Sequence, residues 1–321
     1  MAMPKPRTTI PKEKADVSRR AKRGRPVSGI LLLDKPSGVQ SNAALQRVKW
    51  LFQAQKAGHT GSLDNLASGL LPICLGEATK LSGYLLEANK QYRSRFELGT
   101  TTTTGDAQGD ELVKRAVPSL SDDEIGQALA ALSGEIEQIP PMFSAIKQNG
   151  TRLYELAYKG EEVSRPARSI TVERFDLLAR GEDWLEVEIS CSKGTYVRTL
   201  ATDLGEALGC GAHVSMLRRT GVGPFDGAQM LDLDALERAA EQGVEQLDEL
   251  LLAMDCAVAH CPSVELEKNS AFYVRRGQPV LVPHAPTAGL VRLYAADCGF
   301  MGIGEVLDDG RVAPKRLLAA V

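Results

Sequence analysis

The sequence predicts an α+β protein: a large domain on a mixed or antiparallel sheet, followed by a small β-rich C-terminal domain. Three observations carry this. Strand-like and helix-like stretches are interspersed without the regular alternation of a doubly wound fold. Leu185, Val187, Ile189 and Cys191 alternate with Glu186, Glu188 and Ser190, the pattern of a sheet with one wet face. Residues 263–321 hold glycine-rich turns at 276–279, 299–304 and 309–310 with short strands between. A chain of 321 residues has room for both domains.

The elements follow in order. Residues 1–28 are rich in Pro, Lys and Arg and nearly free of large apolar side chains, so they are expected to be a disordered basic tail. A strand is expected at 30–34, then a turn at Pro36 and Gly38. Ser41 is expected to cap a helix with Leu45, Val48, Leu51 and Phe52 on one face. Residues 70–75 read as a strand, 78–88 as a helix and 92–98 as a strand. The Thr-, Gly- and Asp-rich run at 100–110 reads as a loop. Ser121 with Glu124 forms a capping box for a helix through Leu132. A polar, basic insertion follows Pro140 and Pro141, with one short helix around 153–158. Residues 195–208 and 231–240 read as helices and 213–218 as a strand. The acidic stretch up to Pro262 marks a boundary, which gives domains at 29–255 and 262–321.

Composition narrows the class. An apolar fraction of 43% and a charged fraction of 25% are ordinary for a globular protein. No apolar run is long enough for a spanning helix, and the N-terminus lacks the apolar core of a secretory signal, so a cytoplasmic protein without membrane contact is expected. None of the six cysteines forms a C-x-x-C pair, and Cys256, His260 and Cys261 lack a second ligand pair, so no metal site is expected. The net charge is −3, but it is unevenly spread. Residues 1–28 carry nine Lys/Arg against Glu13 and Asp16, and 226–255 carry nine acids against Arg238. Basic residues collect at 147–168 and 193–219. A polyanion could therefore bind one face of an acidic protein, with the acidic stretch turned away.

The most informative segment is GHTGSLD at 58–64. It sets one histidine and one carboxylate among glycines and small polar residues, ahead of apolar Leu70, Leu71, Ile73 and Leu75. An acid on a stiff loop above a sheet can serve catalysis. Taken alone, the pattern favours a turn or capping aspartate.

Resemblance shifts that balance. GHTGSLDNLASGLLPICLGEATK at 58–80 resembles the signature of TruB-type tRNA pseudouridine synthases. GILLLDKPSGVQSN at 29–42 and CSKGTYVRTLATDLGEALGCGAHVSMLRR at 191–219 agree with it, in the family's order. The likeness runs from about residue 28 to the C-terminus, where 263–321 resembles a PUA domain, a small RNA-binding module. It implies isomerisation of uridine to pseudouridine at T-loop position 55 of tRNA, with the T arm as partner. The base detaches from ribose C1′ at N1, rotates and rejoins through C5. No redox step or group donor is involved, so no cofactor is expected, nor is a protein partner, and a monomer is expected.

The resemblance also assigns roles. Asp64 is the catalytic carboxylate, which attacks the sugar, attacks the base or abstracts a proton. Arg198 is its cationic partner, able to offset the cost of keeping Asp64 ionised in a site closed to water. Tyr92 stacks on a base that has been flipped out of its loop. Tyr196 and Leu217 complete the pocket, and His59 wedges into the T loop. Lys35, Lys80 and Lys147 are candidate phosphate contacts. The insertion at 142–168 resembles the family's thumb loop. Two positions depart from the pattern: Asn65 follows Asp64 where the family has Pro, and Ser68 replaces Thr. Asparagine permits more conformations than proline, so Asp64 is expected to be less firmly placed. An RNA-binding or tRNA-folding factor with little catalysis is the alternative reading. A glycosidase-like or phosphate-binding enzyme ranks below both, since the chain has no P-loop pattern or obvious second catalytic carboxylate.

Overall fold

A computed structural model describes residues 24–319. The strands run β1 (Gly29–Lys35), β2 (Ala57–His59), β3 (Ser68–Leu75), β4 (Lys90–Leu98), β5 (Thr100–Thr102), β6 (Glu111–Lys114), β7 (Gly134–Gln138), β8 (Lys147–Gln148), β9 (Thr151–Arg152), β10 (Arg168–Arg180), β11 (Trp184–Cys191), β12 (Ala212–Val222) and β13 (Phe225–Asp226). The C-terminal strands are β14 (Ser263–Leu266), β15 (Gly289–Ala295), β16 (Gly299–Val306) and β17 (Val312–Leu317). The helices are α1 (Ser41–Leu51), α2 (Ser82–Glu87), α3 (Asp122–Ala131), α4 (Leu153–Ala157), α5 (Val197–Ala207), α6 (Leu233–Gln242), α7 (Val244–Asp248) and α8 (Lys268–Arg275).

The central sheet is mixed, in the order β1-β3-β12-β4-β11-β10-β7, with β2 on β3 and β13 on β12. All its neighbours are antiparallel except β3 and β12, which run parallel where Ser68 and Gly69 face Arg218 and Arg219. That short parallel seam joins two antiparallel halves. Gly69 sits in it at φ +97°, and a Cβ there would lie 2.3 Å from the Arg219 carbonyl oxygen, so only glycine fits.

Leu31, Leu33, Leu71, Ile73, Phe96, Val187, Ile189 and Val214 belong to one face of the sheet and share a core with Val48 of α1, Ile125 of α3 and Leu204 of α5. Ile30, Leu32, Leu70 and Cys74 form the other face, packed with Leu85 of α2 and Ile303 of β16. Thus β1 and β3 are buried on both faces, which explains their unbroken apolar runs. The alternation at 185–191 buries the odd residues and leaves the even ones half-exposed. The sheet β14-β15-β16-β17 forms the C-terminal layer with its own core around Val264, Val274, Val291 and Val312.

Several expectations need correction. The tail reading covers 1–28. Residues 1–23 lie outside the described residues, whereas 24–28 are packed: Val27 is buried, and Arg25 donates to Phe52 O at 2.8 Å and to Asp248 Oδ2 at 2.6 Å. Ser41 does not cap α1. Gln40 holds the N-cap position, and Ser41 is the first helical residue with its hydroxyl turned to the loop before Asp64. The helix expected at 78–88 is a 3-10 turn, Gly76–Lys80, followed by α2. The 100–110 run opens the β5–β6 hairpin. The Ser121–Glu124 capping box is present at α3, and α4 lies where the short helix was expected.

Candidate active site

Asp64 lies on the loop between β2 and β3, and two neighbours fix that loop. The Ser41 hydroxyl donates to Leu63 O at 2.9 Å and accepts from Leu63 N at 2.8 Å. Beyond it, Ala67 N donates to Asp64 O at 3.1 Å, closing a four-residue turn with Asn65 in its second position. Asp64 therefore projects from a loop held on both sides, although Asn65 replaces the expected proline.

Arg198 sits in the first turn of α5 with 5% of its side chain exposed. Its Nε lies 2.7 Å from Asp64 Oδ2, close in distance but off the N–H direction, so the contact is an ion pair rather than a directed hydrogen bond. Nη1 donates to Thr104 O and Nη2 to Phe143 O, each at 2.8 Å. Asp106 approaches Nε at 3.8 Å, and its Oδ1 accepts from the Thr104 hydroxyl at 2.6 Å and from Gln108 N at 3.0 Å. The planar guanidinium is thus locked by groups from three segments, which lysine could not satisfy in the same plane. Gln138 of β7 fixes the residue before the helix: its side chain accepts from Tyr196 N at 2.7 Å and donates to Tyr196 O at 3.1 Å.

Asp64 and Arg198 line a cleft of about 530 Å³ with Thr103, Asp106, Phe143 and Tyr158 on its walls. The Asp64 side chain is 44% exposed, so the site is open rather than closed to water as expected. A hollow of similar size, about 580 Å³, lies beside Trp50 but has no carboxylate among its lining residues.

Tyr92 and Tyr196 are half-buried and close enough to Asp64 to feel its charge; burial raises both phenols above the ordinary tyrosine value. Leu217 is buried on β12, facing Ser94 of β4, while Tyr92 faces Arg219 in the same register. Four side chains thus share one face of two adjacent strands. His59 ends β2, and its pKa is lowered first by burial and then by the Arg219 charge, so the ring is neutral at pH 7.

The lysines divide. Lys35 is fully buried, and its ammonium donates to Pro36 O at 2.8 Å and Val39 O at 2.7 Å; it is no phosphate contact. Burial lowers its pKa to about 8, against the opposing pull of Asp64. Lys80 pairs with Glu77 at 2.6 Å and donates to Leu317 O at 3.1 Å, tying the large domain to β17. Lys147 is exposed on β8. The basic residues of 193–219 are also buried or paired with acids. Arg218 forms a two-pronged pair with Asp34 at 2.6 and 3.0 Å, Arg198 and Arg219 are buried, and Lys193 pairs with Glu87. The sequence reading missed Asp106, Gln138 and Arg219. Only Arg219 left a local signal, a charge inside a buried strand.

Three family models match successive parts of the chain between residues 49 and 318. Residues 49–197 match the TruB family pseudouridylate synthase N-terminal domain, 198–259 the tRNA pseudouridylate synthase B C-terminal domain, and 262–318 the pseudouridine synthase II TruB C-terminal model. A tRNA pseudouridine synthase B of Pseudomonas paraeruginosa is 54% identical over 295 residues, covering 92% of this chain and 97% of the relative. The chain belongs to the TruB family of pseudouridylate synthases. A second TruB relative, from Nitrosococcus oceani, is also 54% identical, covering 92% of this chain and 96% of its own. Among solved structures, a chain of a Cbf5–Nop10–Gar1 complex aligns with a TM-score of 0.69 and 25% identity, covering 91% of this chain and 84% of that one. A chain of an H/ACA RNP bound to a substrate RNA containing 2′-deoxyuridine shares the fold at 23% identity and a TM-score of 0.69, covering 93% and 90%. As a TruB-family enzyme, this chain isomerises uridine to pseudouridine. Among its described residues no helix is long and apolar enough to cross a membrane.

Proposed function

We propose that the isomerisation takes place at Asp64 and that its substrate is the uridine at position 55 in the T loop of tRNA, bound through the T arm. One observation supports the assignment of Asp64 above all: its carboxylate meets a buried guanidinium whose other nitrogens are already committed to backbone carbonyls. Such a cation cannot swing away, so it holds the carboxylate oriented beside the ribose of an extruded nucleotide. The tRNA substrate is the one named for the two curated relatives, and the T loop follows from the resemblance of the signature motif.

The remaining roles follow from placement. Tyr92 offers a ring for the uracil to stack on, worth about 1–3 kcal/mol per base. Tyr196 borders the carboxylate, Leu217 forms an apolar wall, and His59, uncharged at neutral pH, fills the gap left in the T loop. Among the described residues, His59 Nδ1 and Thr60 Oγ1 are buried polar atoms with no hydrogen-bond partner, as expected where a ligand completes the network. The 142–168 insertion closes over the T arm, and the C-terminal layer extends the RNA contact. The enzyme works as a cytoplasmic monomer. The isomerisation needs no redox step and no group donor, so no cofactor is required.

The test is direct. Purified protein is incubated with unmodified tRNA without added cofactor, and pseudouridine is mapped. Wild type forms it at position 55; Asp64→Asn binds the tRNA and forms none. Modification at another uridine refutes the T-loop assignment, and retained turnover in Asp64→Asn refutes the catalytic one. A tRNA-binding factor without catalysis shows no isomerisation to lose.

A further inference from the structure

Arg219 heads the largest fully buried side chains, at 2% exposure. A buried arginine is normally matched by a carboxylate. Here its hydrogen bonds go to carbonyls instead: Nε donates to Leu70 O at 2.7 Å and Nη2 to Gly61 O at 3.1 Å. Those oxygens belong to β3 and to the loop carrying Asp64. Across the sheet Arg219 is the direct partner of Tyr92, and its charge opposes the rise that burial gives the phenol. The charge is felt through the site. It adds to burial in opposing protonation of His59, Lys35 and Lys90.

Among the described residues this cation beside Tyr92 has carbonyl oxygens and no carboxylate as hydrogen-bond partners, so it is placed to meet an anion formed during turnover. The reaction supplies one. When the C1′–N1 bond breaks, its electron pair stays on the base, and the detached uracil carries negative charge over N1 and its two carbonyl oxygens until C5 bonds to C1′. The C5 proton is then lost and N1 is protonated, so the balance closes on an isomer. We propose that Arg219 stabilises the negative charge that collects on the uracil ring, its guanidinium fixed beside Tyr92 by two carbonyl oxygens. The inference rests on the placement of the base against Tyr92. Fixed charge aimed at developing charge lowers a barrier because no reorganisation is required.

The test varies the leaving ability of the base. Fluorine at C5 makes uracil a better-stabilised anion, so 5-fluorouridine tRNA depends less on the cation. Cleavage is followed as loss of the target nucleoside by mass spectrometry of nuclease digests, alongside tRNA affinity and thermal melting. Arg219→Gln is expected to slow uridine turnover about a hundredfold, the scale for loss of one preorganised donor. The loss on 5-fluorouridine tRNA is expected to be at least about tenfold smaller, a difference of about 1.4 kcal/mol in the barrier. Equal losses on the two substrates show a purely structural strap and overturn the proposal. If Arg219→Gln does not fold, Arg219→Lys carries the test: the charge stays while the two-carbonyl clasp breaks. Its ratio of rates on the two substrates must then match wild type, and a shifted ratio overturns the proposal. Failure of the Tyr92 placement is read separately, as a Tyr92→Ala variant with unchanged turnover.

Discussion

The Ser41 hydroxyl holds both backbone groups of Leu63, the residue immediately before Asp64, at 2.8 and 2.9 Å. Helix α1 thereby sets the height of the Asp64 loop over the sheet. Ser41→Ala leaves a buried N–H and C=O without partners, at a cost of about 1–3 kcal/mol. Melting should fall by several degrees, and turnover should fall more than tRNA affinity does, because Asp64 loses its fixed position while the RNA-facing surface is untouched. Equal losses in kcat and affinity would argue against this link.

Asn65 is the second residue of the turn closed by Ala67 N and Asp64 O, the place in a turn where proline is favoured. Its side chain is exposed, and its φ is not positive. Asn65→Pro should therefore raise stability by about 0.4–1 kcal/mol through the unfolded chain and leave turnover within about twofold of wild type. The turn already holds Asp64 through the Ala67 N–Asp64 O hydrogen bond, so the gain in turnover from proline should be small. Melting curves and steady-state rates decide it; a large gain in turnover would show that Asp64 is loose after all.

What was legible in the chain was local chemistry. The alternation at 185–191 reports a half-wet strand, and Ser121 with Glu124 reports a helix start, because each pattern has one physical cause. Ser41 misled because serine ahead of an apolar helix looks the same whether its hydroxyl caps that helix or reaches residue 63. Lys35 misled in the same way: nothing local shows that its ammonium will meet the carbonyls of Pro36 and Val39 in a buried turn. Asp106 was hidden in a run composed like any loop, and only its long-range approach to Arg198 gives it meaning. Asp64 and Arg198 are 134 positions apart, and only resemblance to a family could pair them before the fold was known.

Burial of Lys90 makes a prediction in the alkaline range. Its ammonium donates to Leu86 O at 2.6 Å at the end of α2, and burial, followed by the Arg219 charge, lowers its pKa from 10.5 to about 8. Between pH 8 and 10.5 the unfolded chain holds a proton that the folded one has released, so this group's contribution to stability rises with pH across that window. Below pH 8 both states are protonated and the slope vanishes. In denaturant titrations the difference between wild type and Lys90→Met should move in favour of wild type from pH 8 to 10, by more than about 1 kcal/mol. A difference independent of pH would mean that the lysine keeps its charge throughout.

The insertion between β7 and β10 is anchored at few points. Leu153 is buried, and Phe143 meets the Tyr158 ring edge-on at 5.5 Å, but Tyr158 itself is 78% exposed and Lys147, Lys159 and Gly160 face solvent. Segments with so few buried contacts open locally at low free energy. Because Phe143 also accepts from Arg198 and Tyr158 lines the cleft, closing this segment over RNA would shield Asp64 from water. Among the described residues, limited proteolysis of free protein should cut first within 147–165, and saturating tRNA should slow that cut at least about tenfold. Asp64→Asn should show the same protection, since closure follows binding rather than chemistry. Cleavage equally fast with and without tRNA would leave the segment no part in the bound state.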